Sequence, residues 1–217
     1  IPSGFIGVDI FFVISGFLIS LIIKTSLSQG NFSFLDFYNR RLWRLQPLYL
    51  FVLIAVLVIS GLFYLPSDYL DITNSEKYAS AFLSNKYFAR ATTSYAAQDA
   101  LFLPLLHTWS LAIEWQWYLF LPFAVYFLHK INAKERVNHF YPVVLVTAIS
   151  FILVFYYQKD QPKNYYYFST RIFEFMLGAC VAYFPIKTKP NRRINDVISL
   201  IALGVIVWVA FQNDIIA

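Results

Sequence analysis

A chain of 217 residues that is 59% hydrophobic, 20% aromatic and only 13% charged has roughly half the charge of an ordinary soluble domain, which carries about 25%. This excludes a cytosolic globular enzyme. The 23 Phe, 16 Tyr and 5 Trp likewise exclude a disordered chain, and the single cysteine, Cys180, excludes a disulfide scaffold.

The remaining solvent is the lipid bilayer, and the net charge of +5 then bears on membrane topology, not on nucleic-acid binding. The chain opens inside an apolar run at Ile1, with no initiating Met, no basic stretch and no small-residue cleavage site, so it reads as an internal fragment of a longer membrane protein. A bilayer core takes about 20 mainly apolar residues per helix. Six segments approach that length: 4–23, 47–65, 109–128, 141–157, 168–185 and 197–211. Apolar runs such as Leu53 to Ile59 and Val143 to Ile149 do not alternate as membrane β-strands do, which makes these segments helices. The predicted fold is all-α, a multi-pass transmembrane bundle with about six spanning helices. Segment 66–104 is too polar for a span and too long for a bare loop, so short helices on or dipping into the outer face are expected there.

Orientation follows from the basic residues. Loops 24–46, 129–140 and 186–196 hold eleven of the 17 Lys and Arg, whereas 66–104 and 158–167 hold five. The first set is therefore expected in the cytoplasm, with both ends of the fragment outside and the protein in the inner membrane.

Ionisable groups within spans are costly, about 2.5–3.5 kcal/mol on insertion scales, so each is a functional candidate. There are four: Asp9, Glu114, Arg171 and Glu174. Each follows an expected outer boundary by a few residues, which puts all four at one depth, about 5–9 Å below the outer surface. Arg171 and Glu174, at i and i+3, can also be read as a structural pair. Glu114 shares a helical stripe with His107, Ser110 and Tyr118. An imidazole, a hydroxyl, a carboxylate and a phenol together suit proton transfer at an alcohol oxygen. The candidate catalytic residues are Glu114, Ser110, Tyr118 and Asp9, and His107, Trp109, Arg171 and Glu174 form a candidate polar pocket.

On the other side Arg40, Arg41 and Arg44 cluster just before Pro47. Ordinary membrane anchoring accounts for any one of them. Three arginines without a lysine also suit a phosphorylated ligand, because the guanidinium fork grips phosphate bidentately. Pro47 at the first turn would add a helix N-terminus. His129 and His139 read as solvated, and no metal-ligand spacing, nucleotide-binding motif or nucleic-acid partner is expected. Asn31-Phe32-Ser33 fits a glycosylation triplet on the wrong side of the membrane.

Gly4-Phe5-Ile6-Gly7-Val8-Asp9-Ile10-Phe11-Phe12-Val13-Ile14-Ser15-Gly16-Phe17-Leu18 resembles the glycine-rich GVDxFFxxSGF signature of the acyltransferase-3 family of integral membrane acyltransferases. The likeness continues through Arg40-Arg41-x-x-Arg44-x-x-Pro47, His107-Thr108-Trp109-Ser110-Leu111-x-x-Glu114-x-Gln116-Trp117-Tyr118-Leu119 and Arg171-x-x-Glu174-x-x-x-Gly178. The resemblance implies transfer of an acyl group, usually acetyl, from cytoplasmic acyl-CoA to a hydroxyl of a surface polysaccharide or glycolipid such as lipopolysaccharide O-antigen or peptidoglycan. No bound cofactor is implied, and acyl-CoA is the donor substrate. Arg40, Arg41 and Arg44 would meet the donor phosphates, while Asp9, Glu114, Arg171 and Glu174 would line or hold the transfer region. The family also carries a preceding helix with an arginine and a histidine that is the favoured base. This sequence starts after that helix, so the fragment alone is expected to be inactive. A transporter or flippase, in which buried charges line a substrate path, and an inactive partner subunit are the rival readings.

Overall fold

The computed structural model describes residues 6–92, 103–132, 140–157, 165–184 and 192–211. Among these there is no strand. Eight helices follow in order: α1 (Ile6–Ser28), α2 (Phe34–Phe63), α3 (Pro66–Ser80), α4 (Ser84–Ala91), α5 (Thr108–Asn132), α6 (Phe140–Tyr157), α7 (Phe168–Tyr183) and α8 (Arg192–Ala210).

Helix α2 begins at Phe34, not at Pro47. Ser33 caps it, its Oγ accepting the Asp36 amide N–H at 3.3 Å, and Asp36 places a carboxylate at the positive end of the helix dipole. Segment 34–46 is too polar to register as a span, yet it is a sound helix once capped. Pro47 therefore lies inside the helix, where it removes one backbone hydrogen bond without ending the 30-residue rod of about 45 Å. At the far end Tyr64 turns extended and Pro66 opens α3 at its first turn. Helix α3 folds back along α2. The Tyr69 ring lies over Gly61, and the Tyr49 hydroxyl donates to the Ala79 carbonyl at 2.8 Å. Phe82, at φ 54°, makes the left-handed turn into α4, and its ring bridges Tyr49 and Trp115.

The closest crossing is between α1 and α7. A Cβ at Gly16 would collide with the Phe175 carbonyl, and one at Gly178 with the Val13 carbonyl, so the two backbones touch only because both positions are glycine. Helix α6 packs on α7, α5 on α1, and α4 on α5. The core between them is aromatic: Phe12 stacks on Phe175 at 4.6 Å, and Phe175 on Trp117 at 5.0 Å. Large apolar side chains also face outward along α2, α6 and α8, including Phe51, Ile54, Leu145, Ile152, Leu200 and Trp208. Apolar area of that extent on the outside suits a lipid surround. Helices α1 and α2 are long and apolar enough to cross a membrane, and α6 and α8 carry shorter apolar stretches over 140–156 and 194–209.

Candidate functional site

The first cluster lies near the start of α1 and α7. Arg171 Nη1 donates to Asp9 Oδ1 at 3.0 Å and to Glu174 Oε1 at 2.7 Å, and its Nε donates to the Tyr165 carbonyl at 3.0 Å. Its guanidinium stacks on the Tyr165 ring at 4.4 Å and faces the Trp109 ring at 5.9 Å. One cation is thus shared by two carboxylates, and exposure falls from 34% at Asp9 through 12% at Arg171 to 5% at Glu174. Burial pushes the Tyr165 phenol up, with the Arg171 charge opposing. Trp109, Tyr165 and Tyr166 form an aromatic wall around this ion cluster, with centroids 4.9–5.4 Å apart.

Glu114 stands apart from that cluster. Its Oε1 accepts the hydroxyl of Ser15 on α1 at 2.9 Å and the hydroxyl of Tyr118 one turn further along α5. Its Oε2 is buried with no partner among the described residues. Ser15 follows Asp9 by six positions on α1, a displacement of roughly 9 Å along the helix axis. The four charges therefore form two sites at different depths, not one. Counting from hydropathy boundaries assumes that the helix ends are level. The contacts show instead that α5 is set so that Glu114 meets the middle of α1.

The expected stripe on α5 is also divided. His107 precedes the helix and is exposed, and the Ser110 hydroxyl turns back to the His107 carbonyl at 3.2 Å. Of that set, only Glu114 and Tyr118 are joined side chain to side chain among the described residues. Ser15 is the residue that sequence reasoning missed, because a serine inside an apolar helix carries no charge to single it out. Gln116, within the motif that begins at His107, is a second. Its Nε2 donates to Asn85 Oδ1 at 3.0 Å and to the Phe82 carbonyl at 3.1 Å, while the Asn85 amide donates to the Tyr166 carbonyl at 3.0 Å. This half-buried network ties α4, α5 and the approach to α7 together.

The three arginines divide as well. Arg40 and Arg44, at i and i+4, share an exposed face. Arg41, turned about 100° from Arg40, is buried over the rings of Phe37 at 5.8 Å and Tyr118 at 5.5 Å. Because α2 starts at Phe34, the helix N-terminus expected at Pro47 is not there, and its dipole does not act on these arginines. Among the described residues no three His, Cys, Asp or Glu side chains are grouped to hold a metal ion. His139 lies outside the described residues, as does the side chain of His129.

The family model described as an acyltransferase domain matches residues 2–214. An uncharacterised protein of Haemophilus influenzae is 33% identical over 202 residues, covering 89% of this chain and 82% of that protein. O-acetyltransferase OatA of Staphylococcus aureus (strain NCTC 8325) is 33% identical over 209 residues, 94% of this chain but 34% of its own length. Peptidoglycan O-acetyltransferase OatA of Listeria monocytogenes is 32% identical over 225 residues, 98% of this chain and 36% of its own length. The chain thus spans about a third of the OatA proteins, and no solved structure matches it. With the matched domain covering nearly every residue, the chain belongs to the acyltransferase-3 family.

Proposed function

We propose that this chain is the membrane-embedded transfer region of an O-acetyltransferase that moves acetyl from cytoplasmic acyl-CoA to a hydroxyl of a cell-surface carbohydrate. Glu114 carries the reading. A carboxylate enclosed in apolar protein, held by two hydroxyl donors and keeping one free oxygen, is an arrangement a purely structural helix does without. Peptidoglycan, the acceptor in the name of the Listeria relative, is one such carbohydrate. Lipopolysaccharide O-antigen is another.

In this reaction the sugar hydroxyl oxygen attacks the thioester carbonyl. A C–O bond forms, the C–S bond breaks, and the hydroxyl proton passes through a base to the departing thiolate. The family resemblance gives the base to a histidine on a helix before the glycine-rich motif. Glu114 orients and polarises that base, and Ser15 and Tyr118 fix the carboxylate. Arg40 and Arg44, exposed on one face, grip the donor phosphates. Arg41 links that face to Glu114 through Tyr118. Asp9, Arg171 and Glu174 with the Trp109 and Tyr165 rings border the acceptor side. The Arg40 end then faces the cytoplasm, the Asp9 end faces outward, and six helices cross the inner membrane.

The test supplies membranes carrying the complete protein with acetyl-labelled acetyl-CoA and isolated cell-wall glycan. Label is expected as an alkali-labile ester on the glycan. No ester at normal protein abundance overturns the reading.

A further inference from the structure

Between α3 and α4 lies a cavity of about 460 Å³ that none of the transfer chemistry uses, lined by Asn74, Tyr78, Tyr87, Arg90 and Ala91. It is large enough for a sugar unit. Its aromatic wall is the pair Tyr78 and Tyr87, whose ring centroids are 5.4 Å apart at 39°. Tyr87 is fixed from behind by the edge of the fully buried Phe88 and by donation of its hydroxyl to the Asp71 carbonyl at 3.3 Å. Tyr78 is 38% exposed and presents its ring outward.

The polar groups fall on the same faces. Asn74 lies one turn before Tyr78 on α3, and Arg90 lies three residues after Tyr87 on α4. Lys77 Nζ donates to Asn74 Oδ1 at 3.4 Å, which fixes the amide and adds a second cation to this face. Asp68, Asp71, Glu76 and Lys77 give α3 the composition of a water-facing helix, which suits a polar ligand in the cavity better than lipid tails.

We infer that this cavity is a binding subsite for an acidic saccharide unit, with the Tyr78 and Tyr87 rings against the sugar face, Asn74 on its hydroxyls and Arg90 on its carboxylate. The amphipathic phenol rings offer an apolar face beside a polar tip, which matches the C–H face and hydroxyl rim of a pyranose. The guanidinium fork matches a carboxylate. The subsite holds one unit of a carbohydrate polymer while another reaches the transfer site. That use rests on the transfer reading, whereas the binding itself does not.

The test is saturation-transfer NMR on the complete protein in nanodiscs, without acyl donor, using methyl β-glucuronide and methyl β-glucoside as probes. Saturation of the glucuronide is expected, with an affinity about tenfold above that of the glucoside, the margin of one charge-assisted contact. Arg90→Gln is expected to erase that preference, and Tyr78→Ala to abolish binding of both sugars. Both variants should keep the abundance and thermal midpoint of the unaltered protein in nanodiscs, which shows that they fold. No saturation of either sugar, equal affinity for the two in the unaltered protein, or full binding by Tyr78→Ala would overturn the proposal. Because no donor is present, a failure of acetyl transfer leaves this result readable.

Discussion

Replacing Glu114 with Gln keeps the shape of the side chain and removes its charge. The amide oxygen can accept the hydroxyls of Ser15 and Tyr118 as Oε1 does, but the amide nitrogen then occupies the place of Oε2, which has no partner. An unsatisfied buried donor costs about 1–3 kcal/mol. Removing a buried charge recovers a penalty of about 2.5–3.5 kcal/mol. The two effects nearly cancel, so abundance in the membrane and the thermal midpoint should stay close to those of the unaltered protein. Proton handling has no such compensation. Loss of the carboxylate that orients and polarises the base lowers the rate by about 10²–10⁴-fold, equivalent to about 3–5 kcal/mol of barrier. The assay pairs ester-bound acetate on isolated glycan with quantified protein in the same membranes. Retention of more than a tenth of the acetate at normal abundance would refute the chemical role of Glu114. Disappearance of the protein from the membrane would refute the cancellation worked out above.

The shared cation makes a second prediction. Arg171→Gln leaves Asp9 and Glu174 facing each other without a counter-charge and should cost about 3–5 kcal/mol, seen as a large drop in thermal midpoint. Adding Asp9→Asn and Glu174→Gln should restore much of it. Gly178→Leu drives a side chain into the Val13 backbone and should separate α1 from α7, so the variant is expected to lose its folded fraction in detergent, whereas Gly204→Leu, with open space around it, should be tolerated. Finally, Arg40→Gln with Arg44→Gln should raise KM for acetyl-CoA at constant kcat. Arg41→Gln should lower kcat instead, because that guanidinium packs over Tyr118.

Local spacing carried a good deal of this into the sequence. The Arg171–Glu174 pair at i,i+3 and the Glu114–Tyr118 pair at i,i+4 both follow from the 3.6-residue repeat, and both are hydrogen-bonded in the structure. So does the division of the arginines, since residues 40 and 44 share a face that 41 leaves. The start of α2 was legible in principle from Ser33 and Asp36, but hydropathy hid it because a capped polar helix looks like a loop to a window that weighs only apolar content.

Apolar content, unbroken runs and four ordered motifs place the chain, from the sequence alone, among the apolar helical proteins of the acyltransferase-3 family, and they isolate Asp9, Glu114, Arg171 and Glu174 as its unusual charges. Only the tertiary structure decided that these belong to two sites, that Asp9 pairs with Arg171 across 162 positions, and that Ser15 rather than Ser110 serves Glu114. The physical reason is register between helices. Periodicity sets which face a residue occupies, but how far one helix slides along another depends on where their backbones can touch, and here Gly16 and Gly178 set that point for α1 and α7.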